Sequence, residues 1–384
     1  MKSRLLIFLY VIIALAYLVL SHFNFEYYIT GEASNYSIYV LMLLFLTSYL
    51  FIRNSRVSIE NDKLYKSIIF FTTLCFLTQI PNMMSVVTNA AIRNVLHTLS
   101  IPMGYVLGRQ IYYNIYGGKD NSSDLWILSL LLPIIYITYR YLRIPVVDPD
   151  SLFFIILLFP LVFCFKGGAY KVIAFMLVGI TCVISAKRSI IISYSISLLL
   201  FVLQYSFFNK NKKISFKSVA IVSGLVVAFY LVLVNNSGVL DNIILRFQGI
   251  KDDEGSGRID LYYVILESFK KSSIIDQLFG HGYRSSISVL HGIPAHNDFL
   301  EILYDFGVVP LMVYVIILIK IVRLCLKSFK QSSLNNATLM IAISVLNLTV
   351  LGALNNIFID TLFVFSCFLC IGISVSMVKT YNTL

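Results

Sequence analysis

Side chains able to do chemistry gather in one stretch, Phe279–Gly307, FGHGYRSSISVLHGIPAHNDFLEILYDFG. It holds three of the chain's five histidines, His281, His291 and His296, with Arg284, Asn297, Asp298 and Glu301 close by. His296 precedes what reads as a helix N-terminus. Asn297 suits an N-cap, and Asp298 and Glu301 fall in the first turn, where acids complement the helix dipole. Capping alone accounts for those three residues. The chemical reading stands beside it. The positive end of the dipole favours a neutral imidazole, which accepts protons, and a nearby carboxylate would orient it, as in a general base. Asn297 and Glu301 are i,i+4 and share a face, with Asp298, Glu301 and Asp305 as an adjacent stripe. The histidine spacings, ten and five residues, do not match compact zinc patterns, so no metal site is expected. His291 reads as a solvated loop residue, and the same reading is open for His281.

The elements that must position these residues are membrane helices. The 384 residues are 58% hydrophobic and 13% charged, against roughly half apolar and a quarter charged in soluble domains. The apolar runs are continuous rather than alternating, which excludes a closed barrel. Twelve candidate spans follow: Leu5–Leu20, Tyr36–Ile52, Ser67–Ile80, Val95–Tyr112, Leu125–Tyr141, Leu152–Phe165, Tyr170–Ser185, Ile190–Phe208, Val219–Val234, Asp298–Ile319, Ala337–Leu354 and Ile357–Val378. Lys2 and Arg4 precede the first, which lacks a small-residue cleavage site and reads as uncleaved. Residues 1–234 would hold nine spans, 235–297 one large outer loop, and 298–384 the last three. The six cysteines lie in or beside the spans and read as small core residues.

The net charge of +11 does not point to nucleic acid, because much of it sits in short loops that orient helices. With the N-terminus in the cytoplasm, 19 of the 30 basic residues face inward, including the runs Arg53–Lys66, Asn209–Lys217 and Lys320–Lys330. The inner set has 14 Lys and 5 Arg, the outer set 4 Lys and 7 Arg. Lysine serves as a topology charge, whereas the planar arginine fork grips phosphate. The outer arginines include Arg140 and Arg143, which Asp148 and Asp150 can pair, together with Arg188, Arg258 and Arg284. Lys187 and Arg188 share a very short outer connection, a costly placement for two cations unless an anion or lipid headgroups accompany them.

The outer loop is long enough to carry function. After the acidic turn Asp252–Gly257, Arg258–Lys271 reads as an amphipathic helix able to lie on a membrane surface, with Tyr262, Ile265, Leu266 and Phe269 on one face. Arg258 opens it, where a cation opposes the dipole and so is not there to cap. Gly280 and Gly282 permit a tight turn before Arg284.

These residues resemble the O-antigen polymerase and ligase family of membrane glycosyltransferases. The family pattern is an arginine opening an amphipathic helix, a Gly-x-Gly turn, then His-Asn, nine residues and Gly-x-x-Gly. Here that is Arg258, Gly280 and Gly282, His296–Asn297, and Gly307, with Pro310 in place of the last glycine. An upstream arginine after serine is matched loosely by Arg188 in SAKRS. The resemblance implies an all-α polytopic, GT-C-like fold of about twelve membrane helices with one large periplasmic loop. It also implies metal-independent, cofactor-free inverting transfer from an undecaprenyl-pyrophosphate-linked glycan, which serves as donor and acceptor, in the cell inner membrane. His296 would be the base on the acceptor hydroxyl. Arg188 and Arg258 would hold the pyrophosphate, with Arg284, Asn297, Glu301, Arg140 and Arg143 as further binding candidates. The chemistry agrees, since charge must be stabilised on the departing oxygens. Polymerisation of repeat units is the leading expectation and ligation to a lipid core the alternative. Membrane lipids, a chain-length regulator and a flippase are the expected partners. A transporter of lipid-linked sugars is the reading from another class. It would place polar groups at the membrane midplane on broken helices, not in one outer loop.

Overall fold

The structure, a computed structural model, describes residues 62–80, 89–116, 156–164, 188–204, 258–332, 335–355, 357–358 and 360–381, with isolated residues among 12–50 and 171–182. All of their regular structure is helical. The spans expected at Leu125–Tyr141 and Val219–Val234, the turn Asp252–Gly257, and Arg140 and Arg143 lie outside the described residues.

Among the described residues, three helices are long and apolar enough to cross a membrane. They are α8 (Val308–Ser332), α9 (Asn336–Leu346, continuing through a π turn to Leu354) and α10 (Thr361–Tyr381). The most apolar window of α10 is 100% buried and that of α8 only 33%, so α10 is central and α8 peripheral. On α8 the exposed Met312, Val315, Ile316, Ile319, Val322 and Leu326 recur at helical spacing, which makes a lipid-facing stripe. The expected span Asp298–Ile319 is two elements. A short helix, Asp298–Phe306, ends at Gly307, and the membrane-length helix starts at Val308. Gly307 has φ +90°, which stops the first helix, and Pro310 in the next first turn suits a helix start.

Two earlier helices pack on this frame, α1 (Lys63–Leu77) against α8, and α2 (Asn89–Tyr116) against α10. α2 takes up NAAIR, which shows no clear periodicity in sequence. A β-carbon at Gly104 or Gly108 would strike the backbone of α10, and one at Gly372 would strike that of α2, so the axes touch over small residues. α3 (Arg188–Leu203) runs antiparallel to α9. Gln204 Nε2 donates to Asn336 Oδ1 (3.3 Å) at one end, and Ser193 Oγ donates to Asn347 Oδ1 (2.9 Å) further along.

At one end of the bundle, Asp62 caps α1 by accepting from Leu64 N and Tyr65 N, and it ion-pairs with Arg109. Tyr105 OH donates to the same carboxylate (2.9 Å), and Arg109 Nε donates to Ser376 Oγ (3.2 Å). Lys320 reaches Ser67 and the Lys63 carbonyl at this end. At the other end, Phe358 packs at 6.0 Å ring-centroid distance from each of Phe71, Phe306 and Tyr314. The loop elements sit over this aromatic cluster: α4 (Arg258–Lys271), α5 (Ile274–Phe279), α6 (Ser285–Val289) and α7 (Asp298–Phe306). Ile265, Leu290, Ala295 and Tyr304 form a second small core that joins α4 to α7. α4 is helical from Arg258, its first described residue, through Lys271. Leu266, expected on its packed face with Tyr262, Ile265 and Phe269, instead points outward, and Leu261 packs inward. The inward stripe follows Leu261, Ile265, Phe269 at i, i+4, i+8.

Candidate functional site

The nine-residue helix α7 organises the site, and the motif residues on either side of it are its caps. At the N-terminus, Asn297 Oδ1 accepts from Phe299 N (3.0 Å) and Leu300 N (3.2 Å). At the C-terminus, the Gly-x-Gly turn returns to the last carbonyls: His281 N donates to Tyr304 O (3.2 Å) and Gly282 N to Asp305 O (2.8 Å). A β-carbon on Gly280 would meet Phe306 backbone, and one on Gly307 would meet Leu278 and Phe279 backbone, so these two turns press together main chain to main chain. Spacing and composition thus become one compact device for ending a helix at both sides.

The acids of α7 face inward and are fully buried. Each holds a different loop by its main chain. Asp298 Oδ1 accepts from Phe358 N (2.7 Å), Glu301 Oε1 from Ala295 N (2.9 Å), and Asp305 from Arg284 N and Ser286 N (2.7 Å each). α7 precedes the membrane-length helix, yet its acids are shielded from water. Burial pushes the Glu301 carboxyl well up, the charges of Asp298 and Asp305 add to this, and the Ala295 N–H opposes it. Burial raises Asp305 to about 7, against the pull of the Ser286 and Arg284 N–H groups. Among the described residues no three His, Cys, Asp or Glu converge as a metal site requires.

Backbone strain concentrates beside these anchors. The non-glycine residues with positive φ are Arg284 (65°), His291 (54°) and His296 (55°) among the described residues. Such conformations are uncommon for side-chain-bearing residues and persist where surrounding contacts over-determine them. His291 is an exposed turn residue, as expected. Arg284 and His296 are the two held by α7. Asp305 takes the Arg284 N–H. Around His296, Glu301 takes the preceding N–H, Asn297 caps the following turn, and Tyr262 OH donates to the His296 carbonyl (3.5 Å). The Arg284 guanidinium is exposed and lies 5.9 Å from the Tyr283 ring. His281 is not a solvated loop residue. Its ring bonds Ser272 Oγ (2.9 Å) and the Tyr304 carbonyl (3.1 Å) and stacks on Tyr304 at 4.3 Å.

The remaining arginines approach from other elements. Arg258 Nη1 donates to the Leu354 carbonyl (2.6 Å), at the negative end of α9. Tyr262 lies one turn further along the same face of α4, so that face runs from the end of α9 to the His296 backbone. The end of α9 also borders α7, since a β-carbon on Gly352 would meet Asp298 Oδ2. Arg188 opens α3. The antiparallel pairing of α3 with α9 puts that N-terminus at the same end of the bundle as Leu354, and so as Arg258. The Arg188 side chain lies outside the described residues.

Residues 173–315 match the family model described as O-antigen ligase. The chain carries an O-antigen ligase family domain. That match runs from before α3 to the first turns of α8 and so contains α4, both caps of α7 and all three strained residues. No curated protein matches the chain. Beside that domain, the described residues include helices of membrane-crossing length and composition. Two neighbours of the candidate site carry no motif signal in sequence. Tyr262 is one turn from Arg258. His97 on α2 is buried and stacks on Tyr283 at 4.3 Å. A histidine inside an apolar span is the signal by which His97 could have been found.

Proposed function

We propose that the protein is a polysaccharide polymerase. It would join repeat units carried on undecaprenyl pyrophosphate, at the outer face of the inner membrane, with His296 as general base. The supporting observation is the pinned left-handed backbone at His296, bracketed by the Glu301, Asn297 and Tyr262 contacts. In the reaction, the acceptor hydroxyl oxygen attacks the anomeric carbon of the donor and gives its proton to the imidazole. The bond from that carbon to the pyrophosphate oxygen breaks with inversion, and polyprenyl pyrophosphate leaves. Arg258 and Arg188 stabilise the departing charge. A guanidinium has five N–H donors, and the bond to Leu354 engages one of those on Arg258. Arg284, Arg140 and Arg143 are further binding candidates for the donor. Glu301, buried beneath the loop, is a positioning residue that acts through the Ala295 main chain.

Both termini would lie in the cytoplasm. The Asp62–Arg109 end, which carries Lys63 and Lys320, supports this as the inner end, with α7 at the opposite, periplasmic end. A chain-length regulator and a flippase remain the proposed partners. The ligase reading keeps the same chemistry and has in its favour the description of the matching family.

One experiment separates these readings. Purified protein in nanodiscs is given undecaprenyl-pyrophosphate oligosaccharide, and the products are resolved on a gel. A ladder formed without lipid core supports polymerisation; transfer only onto added core supports ligation. His296→Ala should lower either product by at least about a hundredfold while the protein stays folded in the membrane. Ladders at the parental rate would remove the base assignment.

A further inference from the structure

The outward face of the α4–α5 corner is apolar, and among the described residues nothing covers it. Ile259, Tyr263 and Leu266 recur at i, i+4, i+7 on α4 and are all exposed, with Lys270 continuing the stripe. On α5, Ile274 and Ile275 are 74% and 71% exposed, and Leu278 and Phe279 are also open. This is not a helix waiting for its core partner, because the opposite face of α4 is already packed through Leu261, Ile265 and Phe269. The corner is also rigid. Gln277 Nε2 lies within hydrogen-bond distance of three carbonyls at the end of α4, those of Phe269, Lys270 and Ser272 (3.1–3.2 Å).

What should cover the patch follows from its neighbour. α5 packs on α8, with Leu278 and Phe279 against Gly307, immediately before the membrane-length helix begins. The lipid-facing stripe of α8 starts at Met312, five residues later. The α5 patch therefore adjoins a surface whose natural solvent is acyl chain. Lys270 and Lys271 edge it. Lys271 pairs with Glu267 at 3.4 Å yet is 79% exposed, as suits a side chain extended toward a headgroup phosphate.

We propose that the α4–α5 corner is seated in the interfacial layer of the bilayer that α8 crosses, with acyl chains against Ile274, Ile275, Leu278 and Phe279 and lipid phosphates near Lys270 and Lys271. The seat stands apart from the catalytic assignment. Where that assignment holds as well, the seat fixes the His296 loop at the depth of a lipid-linked pyrophosphate.

The test is one of depth. Ile275→Cys and, on the exposed side of α6, Ser288→Cys are each labelled with a polarity-sensitive fluorophore. The full chain is then placed in nanodiscs of phosphatidylethanolamine and phosphatidylglycerol. Five of the native cysteines are buried and Cys325 is partly so, and the parent protein gives the labelling background. Lipids carrying a nitroxide high on the acyl chain should quench the label at 275 at least about twofold more than at 288, and aqueous iodide should do the reverse. Equal iodide quenching at the two positions would overturn the proposal. So would protection of position 275 from both quenchers, with crosslinking between copies, which would make the patch a protein interface.

Discussion

The two ends of the bundle bury acid in opposite ways. At one end Asp62 is matched by Arg109 and Tyr105, and the cluster ties α1, α2 and, through Ser376, α10 into one frame. At the other end Asp298, Glu301 and Asp305 lie on one helix, and the hydrogen bonds they accept come from main-chain N–H groups of separate loops. A cation partner gives a closed unit whose purpose is served once it forms. Carboxylates that grip only backbone hold loops in shapes those loops would not choose, and the residues so held are Arg284 and His296. One end stabilises helices; the other supports strain where chemistry is proposed.

The largest expected effect breaks the first end. Arg109→Ala leaves the Asp62 charge buried without its cation, a loss of about 3–5 kcal/mol. That should show as aggregated protein on size-exclusion chromatography in detergent. His296→Ala, by contrast, should elute as the parent does. Equal folding of the two variants would remove the distinction drawn between the ends.

A smaller effect tests the second end. Glu301→Ala strips the Ala295 N–H of its acceptor, at a cost of about 1–3 kcal/mol, and frees the backbone before His296. Glycan transfer should fall by about tenfold or more. Glu301→Gln keeps an oxygen for that N–H and should restore most of the rate. If Gln is as poor as Ala, Glu301 acts through its charge rather than through the backbone.

Much of this was legible in the residues. The helix of Arg258–Lys271, Asn297 as a cap and the glycine turn each follow from local chemistry, and local chemistry is what a sequence carries. The burial of five of the six cysteines follows from their apolar surroundings. The break at Gly307 was missed because the apolar run continues through it, and only the contact with Leu278 and Phe279 shows why glycine is required there. Leu266 was misplaced because both sides of α4 are apolar, so periodicity alone does not say which packs. The part played by Glu301 depends on a loop folding back over its own helix, and the Tyr283–His97 stack joins residues far apart in the chain. Neither has a local signature.

The finest test is the titration of Asp305. Its carboxyl is raised from an ordinary 3.8 to about 7 by burial. Between about pH 4 and pH 7 the folded protein therefore holds a proton that the unfolded chain has released, so stability falls as pH rises through that window and levels off above it. The Tm in nanodiscs should be higher at pH 5 than at pH 8. Asp305→Asn cannot titrate and should flatten that slope. It should also lower Tm at both pH values, because its amide NH2 would confront one of the two N–H groups, of Arg284 or Ser286, that the carboxylate now accepts. A variant keeping the parental slope would move the titration to Glu301, whose carboxyl is raised by the same burial.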